Sequence, residues 1–306
     1  MEYQTIQYQI QDGIARLRLN RPEVLNAWNW RMMAEVSDVV GKLNKNKNAR
    51  VLIISGNGRA FCAGHDLKEL ENEKGYPQNF VELMDYERAK YIDPKESLRR
   101  IKIPTIAMVH GYVLAGAFVI MNMCDLIVAA EGTQMGMYGV RFGPPPDENF
   151  AYLWMMPLRM MKEMVFTGRI YTAEDFYRIG LINKVVPEAR LEEETMDLAR
   201  DVTMINPINN RLTKESINLM LDIMGYSATQ QTGSLYHFIG HQLFTGGEIG
   251  KDLFRAQKEL GTKWFIQKVK EGAFKDFETE SRMLKEALAE LDGRKKPAKK
   301  PRRKDH

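Results

Sequence analysis

The first 130 residues alternate between short apolar segments and segments with helical periodicity. Val51–Ile54 and Thr105–Val109 have the length and composition of buried strands, and each is followed by a glycine-bearing turn. Before the first of them, apolar residues recur at helical spacing from Trp28 to Leu43. Because strands separated by helices pair in parallel, this alternation predicts an α/β domain with a mainly parallel sheet.

The two ends of the chain predict different structures. At the N-terminus, Asp12-Gly13 separates two alternating segments, which is typical of a β-hairpin over residues 6–19. After Thr172 the strand pattern fades, and a capping box of Thr172 with Asp175 begins a mostly helical last third. We therefore predict a core over residues 1–200, a helical oligomerisation region over residues 201–292 and a disordered basic tail over residues 293–306.

The positive charge of the chain is concentrated in its tail. Of the 44 Lys and Arg residues, eight lie in Arg294–His306, which holds only one of the 40 acidic residues. A proline-interrupted basic run is unfolded by itself and attracts anionic partners through electrostatics. Such runs specify little and the body carries no nucleic-acid-binding motif, so neither nucleic acid nor membrane is predicted as a dedicated partner.

Composition excludes several other classes of protein. With 44% hydrophobic and 27% charged residues, the chain has the balance of a globular protein. The longest uncharged apolar stretch, residues 103–124, is interrupted by His110 and Asn122, which argues against a membrane span. Two cysteines, Cys62 and Cys124, match neither a disulfide framework nor a metal motif. These features, with no N-terminal targeting pattern, predict a cytoplasmic protein without a metal site.

Two glycine-bearing turns carry the chemical signal. One spans Gly58–Leu67 and the other Val109–Ala117, each between a predicted strand and a predicted helix. The first amides of a helix have no partner within the helix and carry partial positive charge. Two such amides that converge on one oxygen would form an oxyanion hole, which stabilises negative charge as it develops in a transition state.

Five segments, taken in order, resemble the crotonase (enoyl-CoA hydratase/isomerase) superfamily, over about residues 5–275. They are LNRPEVLNA (residues 19–27), GRAFCAGHDLKEL (58–70), KIPTIAMVHGYVLAGA (102–117), CDLIVAA (124–130) and FTGRIYTAEDFYRIGLINKVVP (166–187). The resemblance implies a ββα spiral core whose C-terminal helices build a homotrimer or a dimer of trimers. It also implies an acyl-CoA substrate, with no cofactor beyond the coenzyme A of that substrate and no metal.

The resemblance also implies roles for particular residues. The backbone amides of His65 and Gly116 would hold the thioester oxygen. A decarboxylase branch of the superfamily also carries Ala-Gly-His-Asp at this point, so we expect the His65 amide to act rather than its imidazole. The other residues implied near coenzyme A or the acyl group are Asn26, Ala27, Ala63, Gly64, Asp66, Leu67, Tyr138 and Lys275. For Asp66, capping of a helix that begins near Leu67 is the alternative.

The superfamily pattern breaks where its hydratases carry two glutamates. Those positions are occupied here by Val119 and Gly139, neither of which can transfer a proton. The next loop offers Asp147, at a position where dienoyl-CoA isomerases and chlorobenzoyl-CoA dehalogenases carry a working aspartate. An apolar pocket would raise the pKa of such a carboxyl and suit it to acid–base chemistry. Glu148 is the adjacent candidate, and an exposed turn residue is the alternative for Asp147.

Three hypotheses follow for the function. The first is an acyl-CoA enzyme that stabilises an enolate and performs hydration or isomerisation on an unsaturated acyl group. The second keeps the enolate but makes the reaction a decarboxylation or a C–C bond hydrolysis. The third is a non-catalytic acyl-CoA-binding scaffold, because both glutamates are missing.

Overall fold

The structure, a computed structural model, describes residues 2–66, 77, 79–141, 154–246, 255, 259–260, 264, 267–268, 271 and 277–295. The strands within these residues are β1 (Ile6–Gln11), β2 (Ile14–Leu19), β3 (Val51–Gly56), β4 (Thr105–Val109), β5 (Tyr112–Leu114), β6 (Leu126–Ala130), β7 (Gln134–Gly136), β8 (Tyr171–Thr172) and β9 (Lys184–Val186). The helices are α1 (Trp30–Leu43), α2 (Phe80–Glu87), α3 (Asp93–Arg99), α4 (Gly116–Asn122), α5 (Leu158–Thr167), α6 (Ala173–Arg178), α7 (Leu191–Met204), α8 (Pro207–Ile223), α9 (Tyr226–Gly246) and α10 (Phe277–Lys295).

The described strands form two sheets. The larger has the order β1-β2-β3-β4-β6-β9, in which β1 pairs antiparallel with β2 and every later pair is parallel. The smaller has the order β5-β7-β8. The predicted α/β class with a mainly parallel sheet is therefore confirmed, as is the N-terminal hairpin, whose turn residues Asp12 and Gly13 both have positive φ.

The central strands are buried on both faces, which explains their unbroken apolar sequences. Leu17, Ile54, Ala107 and Ile127 lie side by side across four strands and belong to the main hydrophobic core. The alternate residues of these strands face a second core, which α7 covers. Because these strands pack on both faces, their positions are fixed, and so are the starting points of the turns that follow them.

Several local predictions need correction. The sequence pattern predicts helices over Leu67–Leu83 and Lys95–Ile101 and assigns no element to the charged segment between them. That segment is helical, because α2 continues through one π-helical turn, Arg88–Ile92, into α3, while residues 67–76 and 78 lie outside the described residues. The glycine-rich turn after β4 contains the short strand β5. Strands do not stop at Thr172, since β9 completes the large sheet. Short strands of two or three residues carry too little alternation to be recognised in sequence.

The predicted capping box is confirmed. The Asp175 carboxylate accepts hydrogen bonds from the Thr172 amide and hydroxyl, at 3.0 and 3.1 Å. This cap begins α6, and the helices α7, α8 and α9 follow it. The mostly helical character expected after Thr172 is therefore present, with β9 as the exception.

The contacts divide the chain into two compact units, residues 1–240 and 241–306. Our predicted boundary after residue 200 falls inside α7, and the oligomerisation role of the later helices stays a prediction. Residues 296–306 of the basic tail lie outside the described residues. Among the described helices, none has both the length and the apolar composition needed to cross a bilayer.

Candidate active site

The first glycine-bearing turn follows β3 and continues into an extended segment over residues 62–66, which we call the strip. Cys62 pairs with Val113 of β5, and His65 pairs with Trp28, each through a parallel bridge. Main-chain hydrogen bonds of 2.7 to 3.1 Å join the strip to the segment around Trp28. The strip is thus held on both sides and cannot shift independently of either neighbour.

The second turn connects β5 to α4 through a strained residue. Ala115 has φ +50° and ψ −123°, a backbone conformation that favours glycine. Its amide donates to the Gly136 carbonyl oxygen at 2.9 Å, which helps to hold this conformation. Such strain costs on the order of 1–3 kcal/mol and is concentrated at functional sites. Gly116 follows as the first residue of α4, so its N–H has no acceptor within the helix.

The two turns touch each other at their glycines. Gly64 has φ +97°, and a Cβ atom placed on it would lie 2.9 Å from the Leu114 carbonyl oxygen and 3.5 Å from the Gly116 amide nitrogen. A Cβ atom on Gly116 would lie 2.9 Å from Nε2 of His65. Gly64 is therefore required by its positive φ and by the nearby backbone oxygen, and a side chain at residue 116 would have to displace the His65 ring. The roles predicted for the His65 and Gly116 amides stay predictions.

The two positions of the missing glutamates lie beside the second turn. Val119 is one helical turn after Gly116 and is fully buried in the main core. A Cβ atom on Gly139 would lie 3.3 Å from Cβ of Ala115. A side chain at residue 139 would therefore reach the turn, but glycine provides none.

Asn26 serves the framework of the site. Its side chain is 0% exposed, accepts a hydrogen bond from the Arg21 amide and donates to the Asn57 and Ala60 carbonyl oxygens, each at 2.8 Å. The residue has φ +55°, which asparagine adopts more readily than most residues. Because its side chain makes these three bonds and its amide donates to the Arg21 carbonyl oxygen at 2.8 Å, only its backbone carbonyl is left for the predicted coenzyme A contact.

Arg21 connects two of the other predicted residues. Its guanidinium lies 2.7 Å from the Asp66 carboxylate and donates to the Ala27 carbonyl oxygen at 2.7 Å. The ion pair gives Asp66 a structural partner, whereas its predicted helix-capping alternative depends on Leu67, outside the described residues. Tyr138 is buried in a short 3₁₀ helix after Met137.

Leu67, Asp147, Glu148 and Lys275 lie outside the described residues. Their predicted roles therefore stay predictions, and so does the identity of the proton carrier.

Cys62 is not suited to nucleophilic chemistry. Burial raises the pKa of its thiol to about 12, against smaller opposing effects of the Gly64 amide and the cations Arg21 and Lys95. A thiol with this pKa is protonated at neutral pH, and the thiolate is the reactive form. Cys62 is therefore a structural residue of the strip.

Sequence reasoning missed three side chains near His65. The Tyr91 ring lies 4.7 Å from the rings of both His65 and Trp30, measured between centroids. The Lys95 ammonium lies 5.8 Å from the Tyr91 ring centroid. Tyr91 belongs to the charged segment over residues 84–94, whose sequence pattern indicates no element, and Lys95 begins the helix predicted over Lys95–Ile101. The sequence feature that could have indicated this cluster is the four-residue spacing of Tyr91 and Lys95, which places both side chains on one helix face.

Comparison with known proteins is consistent with this arrangement of sheet and turns. Residues 9–244 match the family described as Enoyl-CoA hydratase/isomerase. A Mycobacterium tuberculosis (strain ATCC 25618 / H37Rv) protein named "Putative enoyl-CoA hydratase EchA13" is 31% identical over 270 residues, which cover 81% of this chain and 85% of that protein.

Solved structures agree with these sequence matches. A probable enoyl-CoA hydratase from Mycobacterium smegmatis has a TM-score of 0.74 and 31% identity, covering 79% of this chain and 97% of its own. An enoyl-CoA hydratase/isomerase from Xanthobacter autotrophicus Py2 has a TM-score of 0.76 and 26% identity, covering 97% of this chain and 100% of its own.

The parallel sheet with two touching strand-to-helix turns defines an α/β enzyme of the crotonase fold. The chain belongs to the enoyl-CoA hydratase/isomerase family.

Proposed function

We propose that this protein acts on an acyl-CoA thioester and holds the thioester oxygen between the backbone N–H groups of His65 and Gly116. The observation that carries the proposal is the contact between the two turns: a Cβ atom on Gly64 would lie 2.9 Å from the Leu114 carbonyl oxygen, too close for a side chain, and 3.5 Å from the Gly116 amide nitrogen. Amides fixed by the surrounding backbone need no reorganisation when the oxygen becomes negative. Such a site needs neither a metal nor a further cofactor, and coenzyme A enters with the substrate.

The reaction that fits this site passes through an enolate. A base removes a proton from the carbon next to the thioester carbonyl, and the bonding electrons move to the oxygen held by the amides. Return of a proton to a more distant carbon would move a double bond. Hydration of a 2-enoyl ester reaches an enolate by another route: water gives a proton to a base as its oxygen attacks the β-carbon, and the enolate then takes a proton at the α-carbon. Since Val119 and Gly139 cannot transfer protons, we assign proton transfer to Asp147, with Glu148 as the alternative.

The remaining predicted residues would bind the rest of the substrate. Ala63, Gly64 and Asp66 belong to the strip that ends at the proposed oxyanion hole, and Ala27 lies on the neighbouring segment. We assign them, with the Asn26 backbone, Leu67 and Lys275, to the coenzyme A side of the site. Tyr138 is assigned to the acyl side of the site, because the next residue, Gly139, lies against Ala115 in the second turn.

We also propose that the chain assembles into trimers or dimers of trimers. In support, α8 exposes many large apolar side chains, which monomers seldom leave in contact with water. More than half of the surface is exposed for Ile208, Leu212, Ile217, Leu219, Met220 and Ile223. The two cysteines are both buried and free, which fits the cytoplasm as the proposed location.

Decarboxylation, C–C bond hydrolysis and simple binding of acyl-CoA are the alternative functions. The observation that favours them is the loss of both glutamate positions to Val119 and Gly139. All of them use the same two amides, so the acyl group and the proton carrier decide among them.

A panel of acyl-CoA esters tests the proposal. Wild-type protein is incubated with 2-enoyl, dienoyl, cyclic enoyl and malonyl-type esters, and products are identified by mass. We expect turnover of an unsaturated ester, reduced roughly 100-fold or more by Asp147→Asn. If turnover is lost in Glu148→Gln but not in Asp147→Asn, proton transfer belongs to Glu148. Binding of esters without any turnover would support the scaffold, and failure to bind any ester would refute the proposal.

A further inference from the structure

A cavity of about 370 Å³ lies between two helical walls, and this is the volume of a small-molecule site. The π-helical turn and α3 form one wall, and α9 forms the other. None of its lining residues belongs to either glycine-bearing turn. Each wall is one helix face, because lining residues recur every three or four positions along it: Arg88, Ile92 and Glu96 on the first wall, and Ser227, Gln230 and Ser234 on the second.

Several polar groups of the cavity already bind other parts of the protein. The Ser97 hydroxyl donates to a backbone carbonyl oxygen at 2.6 Å, and the Ser227 hydroxyl donates to the Asp222 carboxylate at 2.8 Å. Because their hydrogens are engaged, these two serines can only accept from a ligand. The Glu96 carboxylate accepts from the Arg100 guanidinium at 3.3 Å, so these two charges compensate each other.

One buried donor in the cavity wall lacks a partner. Gln230 is only 9% exposed, and its side-chain Nε2 meets no hydrogen-bond acceptor among the described residues. A buried amide donor without an acceptor destabilises a fold, so few such groups persist in native structures. Since Gln230 lines the cavity, an oxygen atom of a ligand bound there would accept from this amide.

Two opposite charges of the cavity also remain unpaired. Arg88 and Asp93 both line it, and neither forms an ion pair with the other or with another residue that the structure describes. The backbone brings them together, because the Asp93 amide donates to the Arg88 carbonyl oxygen across the π-helical turn. In an α-helix, residues five apart point in different directions, whereas a π-helical turn places them one turn apart. Such turns are rare and occur often at functional sites.

From these groups we infer that the cavity binds a small zwitterion, a free amino acid. Its carboxylate accepts from the Arg88 guanidinium and from Nε2 of Gln230, and its ammonium group donates to the Asp93 carboxylate and to the oxygens of Ser97 and Ser227. A simple anion would meet the repulsion of Asp93, and a simple cation that of Arg88. The inference goes beyond the proposed acyl-CoA function and does not depend on it.

A thermal-shift screen followed by calorimetry tests the inference. Wild-type protein is heated with each of the standard L-amino acids, since a ligand that binds only the folded state raises Tm. The amino acid that raises Tm most is then titrated by calorimetry. Two analogues are its matched controls, the amine that lacks its carboxylate and the acid that lacks its ammonium group. We expect each analogue to bind more weakly by about 10-fold or more, because it leaves one charge of the cavity without a partner.

Three variants and a control locate the bound amino acid. Arg88→Met and Asp93→Asn should each weaken its binding by about 10-fold or more. Gln230→Met should also weaken binding, without lowering Tm in the absence of the amino acid, because it removes a buried donor that has no acceptor. Lys90→Met is the control and should not change the affinity. It removes the same charge as Arg88→Met from the same π-helical turn, but the Lys90 ammonium lies over the Trp30 ring, 4.7 Å from its centroid.

Each contrary result overturns the inference. If no amino acid raises Tm or gives heat in calorimetry, the cavity is not an amino-acid site. If the acid without the ammonium group binds as tightly as the amino acid, the ligand is an anion and Asp93 has no role. If Arg88→Met and Asp93→Asn both keep the wild-type affinity, the amino acid binds elsewhere on the molecule. Should a variant fail to fold, the comparison of the analogues on wild-type protein still decides, and acyl-CoA binding is measured separately.

Discussion

At the scale of single residues, the site depends on glycines that no other residue can replace. Gly64 combines positive φ with an approach to the Leu114 carbonyl oxygen that excludes a Cβ atom. Gly41, in contrast, lies within α1 with no heavy atom within 4 Å of a Cβ placed on it. The two glycines therefore form a matched pair, in which only the first has a conformational and a packing reason to be glycine.

We predict that Gly64→Ala lowers kcat/KM by roughly 100-fold or more, because the displaced strip would move one of the two donors of the proposed oxyanion hole. The strain should also cost about 1–3 kcal/mol in the free energy of unfolding. Gly41→Ala should leave kcat/KM unchanged and stabilise the helix by up to about 1 kcal/mol. Steady-state kinetics and denaturant unfolding measure both effects. Full activity of Gly64→Ala would rule out a role for this contact.

A second prediction at the residue scale concerns pH. Glu35 is buried and accepts hydrogen bonds from the Gln4 amide and from the Thr5 amide and hydroxyl, at 2.6 to 3.0 Å. Burial by itself would raise the pKa of this carboxyl, but the hydrogen bonds outweigh burial and lower it. The carboxylate therefore stabilises the fold above the ordinary glutamate pKa, and that contribution is lost as the pH falls through the lowered value.

We expect Glu35→Gln to lower stability at pH 7 by about 1–3 kcal/mol. The difference in Tm between wild-type and variant protein should shrink as the pH is lowered from 7 to 3. Thermal unfolding across this range provides the test. A difference that stays constant with pH would mean that the ionised form makes no special contribution.

At the scale of elements, one arginine joins three helices. Arg99 of α3 lies 2.8 Å from the Asp222 carboxylate of α8 and 3.3 Å from Glu96, and its guanidinium lies 4.1 Å from the ring centroid of Tyr226 in α9. Its side chain is 4% exposed, whereas that of Arg100, which also contacts Glu96 at 3.3 Å, is 59% exposed. Arg99 and Arg100 therefore share Glu96 as a partner and differ mainly in how deeply their side chains are buried.

We predict that Arg99→Met destabilises the protein by about 1–3 kcal/mol, because it removes a buried cation and its hydrogen bond to the partly buried Asp222 carboxylate. Arg100→Met should cost less than about 1 kcal/mol, since water screens an exposed ion pair. Denaturant unfolding of the two variants gives the comparison. Equal losses of unfolding free energy in the two variants would show that burial does not determine the strength of these ion pairs.

At the scale of the whole molecule, the exposed apolar face of α8 supports assembly. Lys214 attaches this helix to its unit through a hydrogen bond to the Asp125 carboxylate at 2.7 Å. Ile223, near the end of the helix, is 77% exposed. Burial of such side chains between subunits contributes about 25 cal/mol for each Å² of apolar surface.

We predict that Ile223→Asp lowers the molecular mass in solution towards that of a monomer, because a carboxylate in a subunit interface would lose its water. Tyr177→Asp is the control, since Tyr177 is also more than half exposed but lies on α6, outside the α8 surface. Size-exclusion chromatography with light scattering measures the mass. A monomeric wild-type protein, or an Ile223→Asp variant of unchanged mass, would contradict the proposed role of α8.

Sequence by itself determined the features that depend on neighbouring residues. The hairpin at Asp12-Gly13, the buried strands β3 and β4 and the capping box at Thr172 each follow from local conformational preferences or from periodicity. The two glycine-bearing turns were predicted in the same way, because each directly follows a readable strand. The segments that carry the family resemblance are also local, and the family was correctly identified from them.

Only the tertiary structure decided which residues meet. β5 and β9 are too short to show a period, and they exist because neighbouring strands offer hydrogen-bond partners. The contact between Gly64 and Gly116 joins positions far apart in sequence, so no local pattern could report it. The same holds for Lys95, whose burial beside Tyr91 depends on how one helix packs on the core. Local conformational preferences determined where the helices, strands and turns form, whereas long-range packing determined which side chains and amides lie next to one another in the site.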